Sequence, residues 1–330
     1  MKRFRKIINR FPKARIGVIG DMTADIYIYG KPYRLSREAP VIVVYYDYEE
    51  LIPGGAANTV YNLIDLGAQV YPISVLGNDE AGKKLLSFLS LRCQHTEGII
   101  LDPECHTILK TRIMAGDDNT TKQQVIRIDR DPKKKLSDGN QPRILSYLSQ
   151  IAPSLDALII SDYGYGMCNR TIREFIKRFS KEKIVVVDSR YHIGAFTGAT
   201  IVTPNLSEAE HFTGIKIKDD KTLQLAGNKI LRTIKARAAL ITRGNKGMTL
   251  FERGSPPLHI PVYGSDQISD VTGAGDTVCA LVALSLVAGA SFADTAKLAN
   301  CGASVVVMKP GTATVNQEEL IAALSNAPLS

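Results

Sequence analysis

The sequence predicts an α/β fold: a doubly wound, mostly parallel central sheet flanked by helices, with a small β-sheet lid. Three observations carry this. Short apolar runs rich in β-branched residues recur along the chain and end abruptly in polar residues, as strands buried on both faces do. Helical patterns alternate with them. Two further β-rich segments break the alternation and read as a separate layer.

In chain order, the basic stretch Lys2-Arg3-Phe4-Arg5-Lys6 opens a segment in which Phe4, Ile7, Ile8 and Phe11 recur at helical spacing. It reads as a short helix packed on the domain; a basic amphipathic helix on a membrane is the alternative. Residues 16–19 form the first strand and lead to Gly20-Asp21-Met22-Thr23-Ala24-Asp25. Asp21 and Asp25 can bind vicinal hydroxyls, or cap a turn. Residues 41–48 are β-branched and aromatic. Pro53-Gly54-Gly55-Ala56-Ala57-Asn58 leads into a helix over 56–66. Gly54 and Gly55 let a ligand touch backbone, and Asn58 offers both donor and acceptor to sugar hydroxyls. A Gly-Gly pair before a helix is also compatible with a plain turn.

Residues 107–114 and 124–130 read as a hairpin around Gly116-Asp117-Asp118-Asn119. With 41–48 they form a lid, in segments of about 26–52 and 105–130, that excludes water from the site. An antiparallel edge of the main sheet is the alternative. Lys133-Lys134-Lys135 lies in a turn-rich stretch and reads as a solvated loop. Strands over 157–160, 184–187, 199–202 and 239–241 end in Asp162, Asp188, Asn205 and Arg243, with helices over 169–179 and 223–235. These residues and Asp21 project from the carboxyl edge of the sheet, where such folds bind ligands. Asn205-Leu206-Ser207-Glu208 places an Asn and a Glu three apart on one helical face. Their hard oxygens suit hydrated Mg²⁺, and the same spacing makes a capping box.

The most informative stretch is Ser269-Asp270-Val271-Thr272-Gly273-Ala274-Gly275-Asp276-Thr277, followed by an apolar run. Glycines permit a tight turn, and the helix start adds unpaired N–H donors and partial positive charge. Together they make a phosphate-binding hollow with Asp276 beside it as a candidate base.

Composition narrows the classes. Apolar residues at 45% and charged residues at 22% fit a single globular α/β domain, here over 13–330. No apolar run reaches the roughly 20 residues of a membrane span, and the N-terminus lacks a signal-peptide pattern. Five scattered cysteines without a C-x-x-C pair suggest reduced thiols and a cytoplasmic protein. The net charge of +8 favours anionic partners, yet no nucleic-acid motif accompanies it, so neither nucleic acid nor membrane is an expected partner. There is no P-loop, no G-x-G-x-x-G after the first strand, and no metal-like histidine spacing.

Taken together, from about Arg15 to Leu320, the chain resembles the ribokinase-like (PfkB-type) carbohydrate kinases. Gly54-Gly55-Ala56-Ala57-Asn58 looks like the family's first signature, and residues 270–276 look like its second, D-x-x-G-A-G-D. Within the family the likeness is greatest to the branch that phosphorylates heptose 7-phosphate. It rests on Arg34-Leu35-Ser36-Arg37-Glu38-Ala39-Pro40-Val41, on Thr203-Pro204-Asn205-Leu206-Ser207-Glu208, on Ala299-Asn300 and Val305-Val306-Val307, and on Lys309-Pro310-Gly311-Thr312-Ala313-Thr314-Val315.

The resemblance implies ATP and Mg²⁺ as cofactors and a sugar or sugar phosphate as substrate. It makes Asp276 the base, with the Gly273-Ala274-Gly275 backbone holding the transferring phosphoryl group. Asp25, Gly54, Gly55 and Asn58 would bind the sugar, with Asp21 beside them. Asn205, Leu206, Ser207 and Glu208 would orient Mg²⁺ and the phosphates. Thr242, Arg243, Gly244, Gly247 and Asn300 would line the nucleotide pocket. A monovalent cation such as K⁺ would sit near Asp270, Thr272 and Gly311. A substrate already phosphorylated needs a second anion site, for which Lys110, Arg112, Arg37 and Arg127 are candidates; strand-edge charges are the alternative.

Two departures bear on the substrate: Tyr165 stands where relatives often have Lys, and Ser189-Arg190 where they often have Pro-Lys. A kinase for another sugar, or a non-catalytic sugar or nucleotide sensor, are the competing readings. The nucleotidyltransferase module of bifunctional relatives is not expected here. Bare lid edges lead us to expect a homodimer formed through the lid.

Overall fold

The computed structural model describes residues 1–117, 122–263 and 270–326. Asp118 and Asn119 of the expected hairpin turn, and Ser269, lie outside the described residues. The first part of the chain forms α1 (Lys2–Ile8), β1 (Arg15–Gly20), β2 (Met22–Leu35), β3 (Ile42–Gly55), α2 (Ala56–Asp65), β4 (Gln69–Gly77) and α3 (Glu80–Ser90). β5 (Ile99–Asp102), β6 (Ile108–Ala115), β7 (Gln123–Arg130), α4 (Gln141–Ile151), β8 (Ala157–Asp162), α5 (Arg170–Phe179) and β9 (Ile184–Ser189) follow. Then come β10 (Ile201–Val202), α6 (Leu206–Thr213), α7 (Asp220–Ile234), β11 (Ala238–Thr242), β12 (Met248–Glu252) and β13 (Leu258–Ile260). α8 (Ala274–Val287), α9 (Phe292–Val306) and α10 (Gln317–Asn326) complete the described chain.

The large sheet has the order β13-β12-β11-β10-β9-β8-β1-β4-β5. Pairing is parallel from β5 through β11, and β12 and β13 add an antiparallel edge. Both faces are covered, which is why the strands are apolar throughout. Ile159 and Val186 pack with residues of α2, α8 and α9, while Leu158, Ile160, Val185 and Val187 pack with α4, α5 and α7. The chain builds from β1 out to β4 and β5, then returns to β8 and builds the other way. The reversal between β1 and β8 opens a crevice at the carboxyl ends of the strands.

A separate sheet, β3-β2-β6-β7, stands beside the first. Its centre is the parallel pair β2–β6, and β3 and β7 flank it antiparallel. The expected small β layer is therefore a sheet of its own and not an edge of the main one. Its strands reach further than the sequence suggests: residues 22–25 and 53–55 read as turns but are paired, Met22 with Gly55 and Asp25 with Ile52. Cross-strand bonds satisfy backbone groups whose local Gly, Asp and Thr content favours turns.

α1 packs as the first of its two readings expects, with Phe4, Ile7, Ile8 and Phe11 all buried in the core. Among the described residues no helix is long and apolar enough to cross a membrane. Lys133 and Lys135 are exposed, whereas Lys134 is half-buried and bridges Asp102 at 3.1 Å and Glu104 at 3.0 Å. All five cysteines are free and buried.

Candidate active site

The site is organised around the start of α8. Gly273 caps this helix at φ 80°, a left-handed conformation. A Cβ there would lie 2.5 Å from Asn58 Nδ2 and 2.9 Å from Thr312 Cγ2. The first N–H groups of the helix, at Gly275 and Asp276, have no carbonyl four residues back to pair with. Asp276 is 4% exposed, because α8 is apolar almost all round and lies inside the molecule. Its Oδ1 accepts hydrogen bonds from Thr59 Oγ1 at 3.0 Å and Tyr163 OH at 2.9 Å; its Oδ2 accepts one from Asn58 Nδ2 at 2.8 Å. Burial pushes its pKa up to about 6 against the pull of these three donors. The result is a carboxylate that is ionised at neutral pH and more basic than usual. Asn62 donates to Asn58 Oδ1 at 3.2 Å and accepts from Thr277 Oγ1 at 2.8 Å, which fixes the orientation of the Asn58 amide.

This geometry predicts a specific sensitivity. Gly273→Ala strains a left-handed residue by about 1 kcal/mol and drives a methyl into the amide that holds Asp276. We expect kcat to fall about 10²-fold, with a lower melting temperature, as read by turnover and thermal denaturation.

Beside Asp276 a cavity of about 250 Å³ opens at the strand ends, lined by Asp162, Tyr163, Asp188, Arg190, Asn205 and Glu208, with Thr203, Thr242 and Gly275. Asn205 and Glu208 form the capping box of α6: Asn205 Oδ1 accepts from the Glu208 N–H, and Glu208 Oε2 from the Asn205 N–H, each at 2.9 Å. Both expected roles are compatible, since the box engages one terminal atom of each side chain and both line the cavity. Leu206 is half-buried and Ser207 exposed on the same turn. Burial, then the Glu208, Asp276 and Asp162 carboxylates, push the Asp188 pKa well up. Burial also raises that of Glu208, while Arg190 opposes the rise. So many carboxylates around one arginine favour a cation. Among the described residues no group of three acidic, His or Cys side chains is close enough to grip a bare ion. The hard oxygens of Asn205 and Glu208 are of the kind that a hydrated Mg²⁺ accepts.

The small sheet borders the other side, with Lys110 on β6 set against Tyr163. Asp25 is buried, with Oδ2 3.1 Å from Arg112 Nη1 and Oδ1 without a hydrogen-bond partner among the described residues. Burial raises its pKa even though Arg112, Lys110 and Arg127 pull it down. Gly54 makes room for it: a Cβ there would come within 2.8 Å of the carboxylate. Parallel register sets Lys110 beside Asp25 and Arg112 beside Tyr27, and Arg127 faces Arg112 on the next strand. Arg112 lies over the Tyr27 ring and Lys110 over that of Tyr163. Arg37 is exposed at the lid tip.

Other expected residues are engaged differently. Asp21 is fully buried, and its carboxylate accepts the N–H groups of Tyr163, Tyr165 and Met167 at 2.8, 3.1 and 3.3 Å. It holds the loop after β8; burial and Asp162 raise its pKa to about 7. Asn58 is buried, with its Nδ2 donating to Asp276 and its Oδ1 accepting from Asn62, so it positions Asp276. Gly55, at φ 56°, starts α2, where a Cβ would lie 2.6 Å from the Asp21 carbonyl. Asn300 is buried and donates to the Pro261 carbonyl at 2.6 Å, which fixes the segment after β13.

Arg243 turns to Thr249, His259 and Asp220, away from the cavity that Thr242 lines. Gly244 and Gly247 shape the turn after β11, both at positive φ. Asp270 Oδ1 accepts the Thr272 N–H at 2.8 Å, so the two share one turn. Tyr165, in place of Lys, hydrogen-bonds Asp131; burial, then that carboxylate, raises its pKa. It turns toward the end of the lid sheet, whereas Arg190 does line the cavity.

Tyr163, Thr59, Asn62 and Thr277 escape the sequence reading as site residues. The detectable signal is polarity out of place. Asn58, Thr59 and Asn62 fall on the buried face of α2, and Asp276 and Thr277 lie in a helix that is otherwise apolar.

The model of the pfkB family of carbohydrate kinases matches residues 13–319. Bifunctional protein HldE of Geobacter sulfurreducens is 41% identical over 310 residues, covering 93% of this chain and 62% of the relative. HldE of Desulfatibacillum aliphaticivorans is 39% identical over 326 residues, 98% of this chain and 65% of the relative. The chain thus spans a little under two thirds of the length of these curated relatives. Among solved structures, phosphofructokinase-2 of Escherichia coli with potassium superposes at TM-score 0.76 and 15% identity, over 94% of this chain and 98% of that one. Arabidopsis thaliana ribokinase with ribose and ATP superposes at 0.73 and 20%, with the same coverage. These likenesses support the fold.

Proposed function

The chain belongs to the pfkB family of carbohydrate kinases, and we propose that it phosphorylates D-glycero-D-manno-heptose 7-phosphate at its anomeric hydroxyl, giving the 1,7-bisphosphate that leads to ADP-heptose. As a sugar kinase it is a phosphotransferase with an alcohol acceptor and uses ATP. One observation carries the substrate reading: Lys110, Arg112 and Arg127 stand in register on the lid strands around Asp25. A sugar whose reacting hydroxyl is at Asp276 and whose body lies along the lid meets these cations at its far end. A distal phosphate suits them.

The unpartnered Oδ1 of Asp25 is an acceptor for a sugar hydroxyl. The acceptor hydroxyl gives its proton to Asp276 as its oxygen bonds the γ-phosphorus. The bond to the β–γ bridging oxygen breaks, and its electron pair leaves with ADP. The N–H groups at the start of α8 stabilise the charge on the transferring group, each on the order of 3–4 kcal/mol. Asn205 and Glu208 would hold a hydrated Mg²⁺, which supplies charge neutralisation on the phosphates. A monovalent cation near Asp270, Thr272 and Gly311 completes the proposal.

An ADP-release assay over a panel of sugars and sugar phosphates tests it. Turnover is expected with heptose 7-phosphate, abolished by EDTA and raised by K⁺. Turnover confined to unphosphorylated sugars overturns the heptose-phosphate reading; insensitivity to EDTA or K⁺ removes the corresponding ion.

The lid also presents exposed Tyr33, Leu35, Ile42, Tyr45, Tyr46 and Ile128, a large apolar display beside two bare strand edges. We propose that a second copy of the chain covers it. Light scattering should report a dimer, and Tyr45→Glu with Tyr46→Glu a monomer; a wild-type monomer refutes the pairing.

A further inference from the structure

We infer that Tyr163 is a positioning residue that commits Asp276 to take the proton on one oxygen, Oδ2. The inference rests on the reading of Asp276 as the base. A carboxylate offers about four acceptor sites, two on each oxygen. Oδ1 of Asp276 receives two hydroxyl donors, Thr59 at 3.0 Å and Tyr163 at 2.9 Å, so its sites are filled. Among the described residues Oδ2 receives only the Asn58 amide, at 2.8 Å, and keeps one site. A proton arriving at Oδ1 would meet two O–H groups already pointing at it. Without Tyr163, Oδ1 regains an open site and the two oxygens become alternatives.

Tyr163 is fixed at both ends for this task. It follows β8 at the point where the sheet order reverses, and its N–H donates to the buried Asp21 carboxylate at 2.8 Å. A Cβ at Gly55 would stand 3.4 Å from its ring, and Lys110 Nζ lies 5.9 Å from the ring centroid. This gives Asp21 a role: it anchors the residue that aims the base. Among the described residues the charged and titratable groups around Asp276 are Asp25 on β2, Asp188 on β9, Tyr163 after β8 and Cys279 on α8. The Asp25 charge raises the Asp276 pKa, while the Asn58, Tyr163 and Thr59 hydrogen bonds lower it.

The test is Tyr163→Phe in the full chain, with kcat followed across about pH 5–9 alongside the KM for ATP and the melting temperature. Loss of one donor to the ionised carboxylate should move the acid limb of kcat alkaline by about one pH unit. The deficit is then about fivefold larger at pH 6 than at high pH, where a smaller loss from the misdirected base remains, with KM for ATP unchanged. An acid limb that stays in place overturns the proposal. If Tyr163→Phe fails to fold, Thr59→Val removes the other Oδ1 donor. The same alkaline shift is expected there, and an unmoved limb again overturns the proposal. Asp276→Asn serves as the control: if that variant keeps its turnover, the base assignment fails, independently of Tyr163.

Discussion

Asp276→Asn is expected to lower kcat by about 10²–10⁴-fold while leaving ATP affinity within about twofold of wild type. An amide of the same shape fills the same space, so the helix start and the cavity beside it persist. What disappears is the ability to accept a proton from the sugar hydroxyl. The pH profile of the wild type is the companion measurement. Burial holds the Asp276 carboxyl near pKa 6, so a base that must be ionised is active above that pH and lost below it. Activity should therefore fall as pH drops through about 6, and the residual rate of Asp276→Asn should lack this acid limb. A variant within tenfold of wild type, or one retaining the limb, would remove Asp276 from the chemistry.

Asp25→Ala should damage both binding and stability. Arg112 is 8% exposed, and the Asp25 carboxylate is the negative charge against its guanidinium. Removing one member of a buried pair typically costs about 3–5 kcal/mol, because the other charge is left in place without compensation. Lys110, which also acts on Asp25, would then add repulsion, while Arg127 stays paired with Asp129. We expect kcat/KM for the sugar to fall at least about 10²-fold, mostly through KM, and the urea midpoint to drop clearly. Asp25→Ala with Arg112→Met should recover much of the stability without the activity. Unchanged stability in the single variant would show that the pair is not buried as described, and an unchanged KM for the sugar would remove Asp25 from the sugar site.

Much of the fold was legible because parallel strands covered on both faces leave apolar runs that local sequence cannot disguise. The strands at 157–162, 184–189 and 238–242, and the helices at 56–65 and 170–179, all carry that signal. β4 was less legible: Pro72 and the polar Gln69 and Ser74 interrupt its run. The extent of the lid was hidden as well, since residues 22–25 and 53–55 look like turns until they pair with each other.

The site divides in the same way. The anion hollow, Asp276 and the capping box of Asn205 and Glu208 are contiguous in sequence, so spacing alone exposed them. Asp21, Asn58 and Asn300 were recognised as polar residues at suggestive places, but their partners come from distant parts of the chain. Only folding shows that the Asp21 carboxylate goes to the 163–167 loop, the Asn58 amide to Asp276, and the Asn300 amide to Pro261.

By itself, then, the sequence determined the architecture, the glycine turn that starts α8 and the candidate base, because each rests on local periodicity or on a short motif with fixed geometry. The tertiary structure alone decided which polar groups are left free to meet a substrate and which are used to hold others. Hydrogen bonds between residues more than a hundred positions apart, such as Tyr163 to Asp276, arise from the order in which strands join the sheet, and no local pattern encodes that order.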